Sequence, residues 1–245
     1  MPLLFFFLAT LGPAQITAMS LVAVFTNGIS GSIAYGRLRR IDYKSGAIFL
    51  IATLPGSIAG AIIVNHIEQG PFQLSFGLLL SMATLLILLL PGHQLFTPKR
   101  VGSGWVRRLV DINGTVYQYR IRLRLGIVVA FMVGFLASML GLGGGIIMVP
   151  FFVFLMGMPI QVATATSQFI IMGTSGIANT TNILQGDLSG LWYSTIALST
   201  GTLIGAQIGA RLSQRLKSTW ITRSLAVGLL TVGLRLVYSG LNVTL

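Results

Sequence analysis

Cysteine is absent from this 245-residue chain, which excludes disulfides, thiolate nucleophiles and cysteine-held metals. Acid is nearly absent too: Asp42, Glu68, Asp111 and Asp187 stand against 16 Lys and Arg. His66 and His93 are the two histidines, far apart and near the ends of apolar stretches. A membrane enzyme would need a nucleophile with its base, or a set of metal ligands. Two dispersed histidines and four scattered carboxylates supply neither, so no enzyme, cofactor or metal site is expected. Charged residues make up only 8% of the chain, where a soluble domain carries about 25%.

What fills the chain instead is apolar: 54% hydrophobic residues and a mean hydropathy of +0.87. One water-soluble core cannot hide that much apolar surface, so the chain reads as a polytopic membrane protein. The net charge of +12 does not point to nucleic acid, because the basic residues fall in short clusters between apolar spans. That is the pattern of cytoplasmic loops. No basic segment precedes the first apolar run, so no cleavable signal peptide is expected.

In order, residues 2–11 are apolar but too short to span, and Gly12-Pro13 breaks them from a full span over 14–35. Further spans are expected over 46–66, 71–91, 125–140, 160–183, 190–210 and 224–243, with a second short segment over 146–156. Residues 92–124 are polar and basic. Within them Val110-Asp111-Ile112-Asn113-Gly114-Thr115-Val116-Tyr117 predicts a β-hairpin about an Asn-Gly turn. The division is a first transmembrane repeat (1–91), a basic cytoplasmic loop (92–124) and a second transmembrane repeat (125–245).

The repeat shows in paired spacings. Leu11-Gly12-Pro13 corresponds to Gly157-Met158-Pro159, and Ala18-Met19-Ser20 to Ala165-Thr166-Ser167. Asp42 precedes Gly56 and Gly60-Ala61 as Asp187 precedes Gly201 and Gly205-Ala206. Equivalent loops carry opposite charge bias: 37–44 is basic where 184–189 is not, and 211–223 is basic where 67–70 is not. Under the positive-inside rule these loops lie on opposite sides, the mark of an inverted-topology repeat. The fold class is therefore an all-α integral membrane protein, a polytopic helical bundle with an inverted repeat and broken half-helices.

The most unusual stretch is Gly141-Leu142-Gly143-Gly144-Gly145, followed by Pro150 and the polar run Gln161, Thr164, Thr166, Ser167 and Gln168. Backbone that leaves the helix inside a membrane needs partners in protein or a water-filled cavity. The glycines serve either close helix packing or a half-helix N-terminus that binds an anion through its N–H groups. Gly56, Gly60, Gly201, Gly205 and Gly209 are expected to form packing seams. Asp42 and Asp187 are expected to cap helix starts, with proton coupling as the other option. The patch from Asn179 to Asn182 predicts a vestibule or a solvated helix end.

The triple-glycine motif, Pro150 and Ala165-Thr166-Ser167, together with the doubled pattern, resemble the TauE/SafE sulfite-exporter family of membrane transporters. The resemblance implies a multi-pass permease of the plasma (inner) membrane for small anions such as sulfite and organosulfur compounds. The family pattern places a helix and a glycine motif ahead of Met1-Pro2. Their lack implies either a chain that starts late or a shorter first repeat. The substrate is expected near the midplane, held by Gly143, Gly144, Gly145, Thr166, Ser167 and Gln168 with Ser20 and Asn27 of the first repeat. Expected partners are a small anionic substrate and the lipid bilayer, with a homo-oligomer left open and nucleic acid excluded. The alternative is a non-transporting membrane subunit that docks a partner through the 92–124 loop.

Overall fold

The computed structural model describes residues 11–68, 70–78, 81, 104–141, 143, 145–154, 156–213, 230–231 and 233–238. Met1-Pro2, Gly144, the basic cluster over 215–223 and most of the expected last span lie outside them. Among the described residues, six α-helices, a 3-10 turn (Val64–His66) and one hairpin have defined bounds, and residues 70–78 and 233–238 are helical as well. Helix α1 is Pro13–Arg37, α2 is Tyr43–Ile63, α3 is Leu123–Met139, α4 is Gly145–Phe154, α5 is Ile160–Gln185 and α6 is Trp192–Ser213. Strands β1 (Trp105–Val110) and β2 (Val116–Ile121) pair antiparallel between α2 and α3, with Val110 opposite Val116.

Local chemistry explains the boundaries. Pro13 opens α1, where its missing N–H costs nothing, and the Gly12 N–H donates to Gln15 Oε1 at 3.2 Å. Asp42 caps α2 by accepting from the Ser45 N–H at 3.2 Å. Gly186, at φ +81°, ends α5. Asp187 does not cap α6, which starts at Trp192; its carboxylate accepts from Asn65 Nδ2 at 3.1 Å. The hairpin turn is longer than an Asn-Gly pair. Asp111 and Thr115 still pair, and Gly114 at φ +78° makes the bulge that closes a loop over 112–114.

Among the described residues, two helices, Pro13–Arg37 and the run Tyr43–His66, are long and apolar enough to cross a membrane. By contrast α4 has ten residues, a rise of about 15 Å, roughly half of a ~30 Å hydrocarbon core. It is a half-helix. Helices α1 and α5 run antiparallel in close contact: Gly31 meets Gln168, Gly28 meets Met172, and Gly176 meets Phe25. Helix α2 runs parallel to α5, from Gly46 against Phe169 to Asn65 Nδ2 donating to Gln185 Oε1 at 2.8 Å. It also runs parallel to α3, with Gly56 and Gly60 of α2 against Phe131 and Phe135 of α3 and Gly134 of α3 against Thr53 of α2.

That last contact is the expected seam. The equivalent one on α6 is not found among the described residues, where nothing lies within 4 Å of a Cβ placed on Gly201 or Gly205; the surroundings of Gly209 lie outside them. The Asn179–Asn182 patch is divided: Thr180 is exposed, but both asparagines are buried, and Asn179 Nδ2 donates to the Leu21 carbonyl of α1 at 3.1 Å. The largest apolar cluster joins Phe49 of α2, Phe151 and Phe152 of α4, Met156 and the inward face of the hairpin through Tyr119 and Ile121.

Candidate functional site

The glycine motif is a turn between α3 and α4, placed deep in the bundle. Gly141 and Gly143 sit at φ +63° and +67°, which L side chains rarely adopt. Ser20 Oγ of α1 donates to the Gly141 carbonyl at 2.8 Å, and Thr17 Oγ1 lies 3.5 Å from the Met139 carbonyl. A Cβ on Gly143 would collide with Val24, at the middle of α1. The turn is therefore pinned at mid-length of α1, and α4 begins there and runs back toward the hairpin.

Among the described residues, two spaces adjoin this turn. A small one of about 10 Å³, space for roughly one water, is lined by Gly143, Gly134, Met148, Thr53 and Thr174 among others. The Thr53 and Thr174 hydroxyls meet there at 2.9 Å, joining α2 to α5. The larger is a cleft of about 200 Å³ between α1 and α6, lined by Ser20, Ala23, Val24, Asn27, Leu198, Thr202 and Ala206. Among the described residues its polar groups are two hydroxyls and one amide, with no cationic side chain.

The expected site residues divide into two groups. Ser20, Asn27 and Gly143 come together around the middle of α1, two of them on the cleft and one behind Val24. Gly145 is the first residue of α4. Thr166, Ser167 and Gln168 lie toward the start of α5, at the hairpin end. The Thr166 hydroxyl accepts the Asp42 N–H at 3.1 Å, and the Ser167 hydroxyl donates to the Thr164 carbonyl at 2.9 Å, so both are engaged within the fold. Gln168 abuts Gly31, and its Oε1 is buried without a partner. Sequence spacing missed Thr202, which lines the cleft, and the Thr53–Thr174 pair. A lone threonine beside Gly201 or before Pro55 carries no signal of its own.

A second polar centre lies at the hairpin end. The Asp42 carboxylate, 1% exposed, accepts from Tyr119 Oη at 2.7 Å, Ser45 Oγ at 2.5 Å and Arg107 Nε at 3.0 Å, and pairs with Arg107 Nη2 on its other oxygen. Arg107 also stacks on Trp105 at 4.6 Å. Beside it Arg40 pairs with Asp111 at 3.3 Å, and the Ile112 N–H donates to the Leu38 carbonyl at 3.2 Å. Burial pushes the Asp42 carboxyl up, but Arg107, Ser45 and Tyr119 together outweigh it and hold the group below the usual carboxylate range. The same burial, with the Asp42 charge beside it, pushes the Tyr119 hydroxyl far up. Asp42 is thus a fixed anion at neutral pH.

A depressed carboxyl stabilises the fold above its unfolded value of about 3.9, and that stabilisation is lost as pH falls through the lower folded value. With Trp192 and Trp220 replaced by phenylalanine, Trp105 fluorescence reports hairpin docking. It is expected to stay flat from neutral pH to about pH 5 and to change only below about pH 4. A transition between pH 6 and 7 would contradict the Asp42 assignment.

Comparison with known proteins bears on the whole arrangement. The family described as sulfite exporter TauE/SafE matches residues 1–236. The chain is similar to the "Probable membrane transporter protein YunE" of Bacillus subtilis, 31% identical over 229 residues, covering 94% of this chain and 82% of that protein. It is also similar to a "Probable membrane transporter protein" of Xylella fastidiosa strain Temecula1, 25% identical with 94% and 82% covered. Another of that description, from Haemophilus influenzae, is 25% identical with 92% and 81% covered. No solved structure matches the chain.

Proposed function

Because the chain belongs to the sulfite exporter TauE/SafE family and is a membrane transporter rather than an enzyme, we propose that it is a secondary transporter of a small anion. Sulfite, a sulfonate or another organosulfur or organic acid is the cargo. It works as a multi-pass protein of the plasma membrane. The observation that carries this reading is the half-helix α4. It starts at a glycine turn pinned by Ser20 and Val24 at mid-depth, where a helix N-terminus offers partial positive charge without a cation. The cleft beside it presents the neutral amide of Asn27 as donor to a small oxyanion, while the Ser20 and Thr202 hydroxyls on its wall donate to the Gly141 and Ser199 carbonyls and would have to turn from them to reach it.

The antiparallel packing of α1 on α5, the two helices whose Ser20 and Ser167 correspond in the doubled sequence pattern, supports an inverted repeat. In such folds the substrate sits where the repeats meet, and rocking of one against the other exposes it to each side in turn. No covalent step is needed.

Flux through proteoliposomes holding the purified chain tests the proposal, with sulfite, taurine and acetate as probes. Flux of at least one is expected. Asn27→Leu and Gly143→Leu are each expected to lower it at least ~10-fold, since one fills the cleft and the other drives Val24 and the turn apart. If no probe moves, and a soluble protein instead co-purifies through the 92–124 loop, the docking-subunit reading replaces this one.

A further inference from the structure

Asp42 joins three parts of the chain that are distant in sequence. It begins α2 of the first repeat. Its carboxylate is held by Arg107 and Tyr119 of the hairpin that links the repeats. Its backbone N–H is held by Thr166 on α5 of the second repeat. The opposite end of α2 is held by apolar packing, Ala61 on Leu21 and Ala178, and Val64 just beyond on Ile16, Phe72 and Leu140, with no buried ion pair there among the described residues. Its side-chain bonds, from Asn65 to Gln185 and Asp187, are exposed. Solvated bonds of that kind contribute little, whereas opening a buried, multiply bonded carboxylate exposes a charge that loses every partner.

We propose that Asp42 is the latch of a gate at the hairpin end, keeping the α1–α6 cleft closed on that side until Arg107, Tyr119 and Thr166 let go. This rests on the alternating-access reading above. Asp42 acts at a distance, as a positioning residue, since it does not line the cleft. Rocking of the second repeat would move α5 relative to α2, and the one tie between them at this end that runs through Asp42 is the N–H to the Thr166 hydroxyl. The hairpin clamps the same residue from above. Helix separation at this end therefore has to break both, and the resting transporter is closed at the hairpin side and opens more readily at the other.

The absence of cysteine makes the test direct. Ala206→Cys places one thiol in the cleft, and Ile112→Cys, on the exposed hairpin tip, reports which way the protein faces in proteoliposomes. Labelling by a membrane-impermeant maleimide is followed from each side. In the otherwise unchanged chain, Ala206→Cys is expected to label slowly from the hairpin side and faster from the other. Tyr119→Phe, which deletes one hydroxyl bonded to a charge, is expected to raise hairpin-side labelling about 10-fold. Asp42→Asn and Thr166→Val are expected to raise it too, and Arg107→Lys to raise it less than Arg107→Ala. Should Asp42→Asn fail to fold, Tyr119→Phe and Thr166→Val decide the matter. If folded variants keep the unmodified ratio of labelling from the two sides, the latch is wrong. If Ala206→Cys in the unmodified chain labels equally from both sides or from neither, the alternating-access reading fails instead.

Discussion

Replacing Gly134 by leucine is expected to prevent α2 and α3 from packing, so that the solubilised protein elutes as aggregate rather than as a single species on size exclusion. The reason is backbone-to-backbone contact. A Cβ at Gly134 would fall well inside 3.0 Å of the Thr53 carbonyl oxygen, and real Cβ atoms essentially never come so close. Gly56 and Gly60 stand in the same relation to the Phe131 and Phe135 carbonyls. No flexible side chain can give way at these points; the helices themselves must part. Alanine at Gly134 already overpacks the seam, at about 1–3 kcal/mol, and leucine adds a branched side chain to the same gap. Inside a bilayer, lipid is as apolar as leucine, so close packing is most of what holds helices together. Parting them also pulls Thr53 away from Thr174. Gly201→Ala and Gly205→Ala serve as the contrast: among the described residues nothing lies within 4 Å of a Cβ at either site, and alanine suits a helix better than glycine, so neither is expected to destabilise. Equal behaviour of Gly134→Leu and Gly205→Ala would refute the seam.

These two glycine patterns also mark how far the sequence could be read. Gly56-x-x-x-Gly60 and Gly201-x-x-x-Gly205 look alike on paper, and four-residue spacing places each pair on one helix face. Spacing does not say whether another helix comes to that face, and only α2 has one there among the described residues. Features that depend on a few adjacent residues were legible. The start of α1 at Pro13 follows from local chemistry, as do the Asp42 cap and the hairpin around Asn113-Gly114. The short α4 was visible because a triple glycine precedes, and Met158-Pro159 follows, a run too short to span. What escaped is long-range. Arg107 looked like one basic residue among many in a cytoplasmic loop, yet it pairs with an acid 65 positions away. Thr166 looked like a substrate donor because it stands in a polar run, but its hydroxyl is taken by the Asp42 N–H. Periodicity assigns a residue to a face; it cannot say which partner waits there.

The other large effect is expected at that ion pair. Arg107→Ala is expected to destabilise the chain by about 3 kcal/mol, at the lower end of the range for breaking a buried pair, because the Arg107 side chain is 17% exposed while that of Asp42 is 1% exposed. Most of the loss comes from the carboxylate left behind, not from the attraction removed. It follows that removing the acid as well should recover part of the stability. Asp42→Asn combined with Arg107→Ala is expected to be more stable than Arg107→Ala alone, since an amide at position 42 still caps α2 and no longer needs a cation. Thermal unfolding in detergent, followed by tryptophan fluorescence, measures the cycle. The neighbouring pair predicts the reverse emphasis. Arg40→Ala leaves Asp111 accepting from the Asn113 and Thr115 N–H groups, so its effect is expected to be much smaller than that of Arg107→Ala, although both arginines bond a buried carboxylate. A double variant no better than Arg107→Ala would mean that the guanidinium stabilises through its stack on Trp105 instead. In that case the hairpin is held by packing, and the charge of Asp42 has little part in docking it.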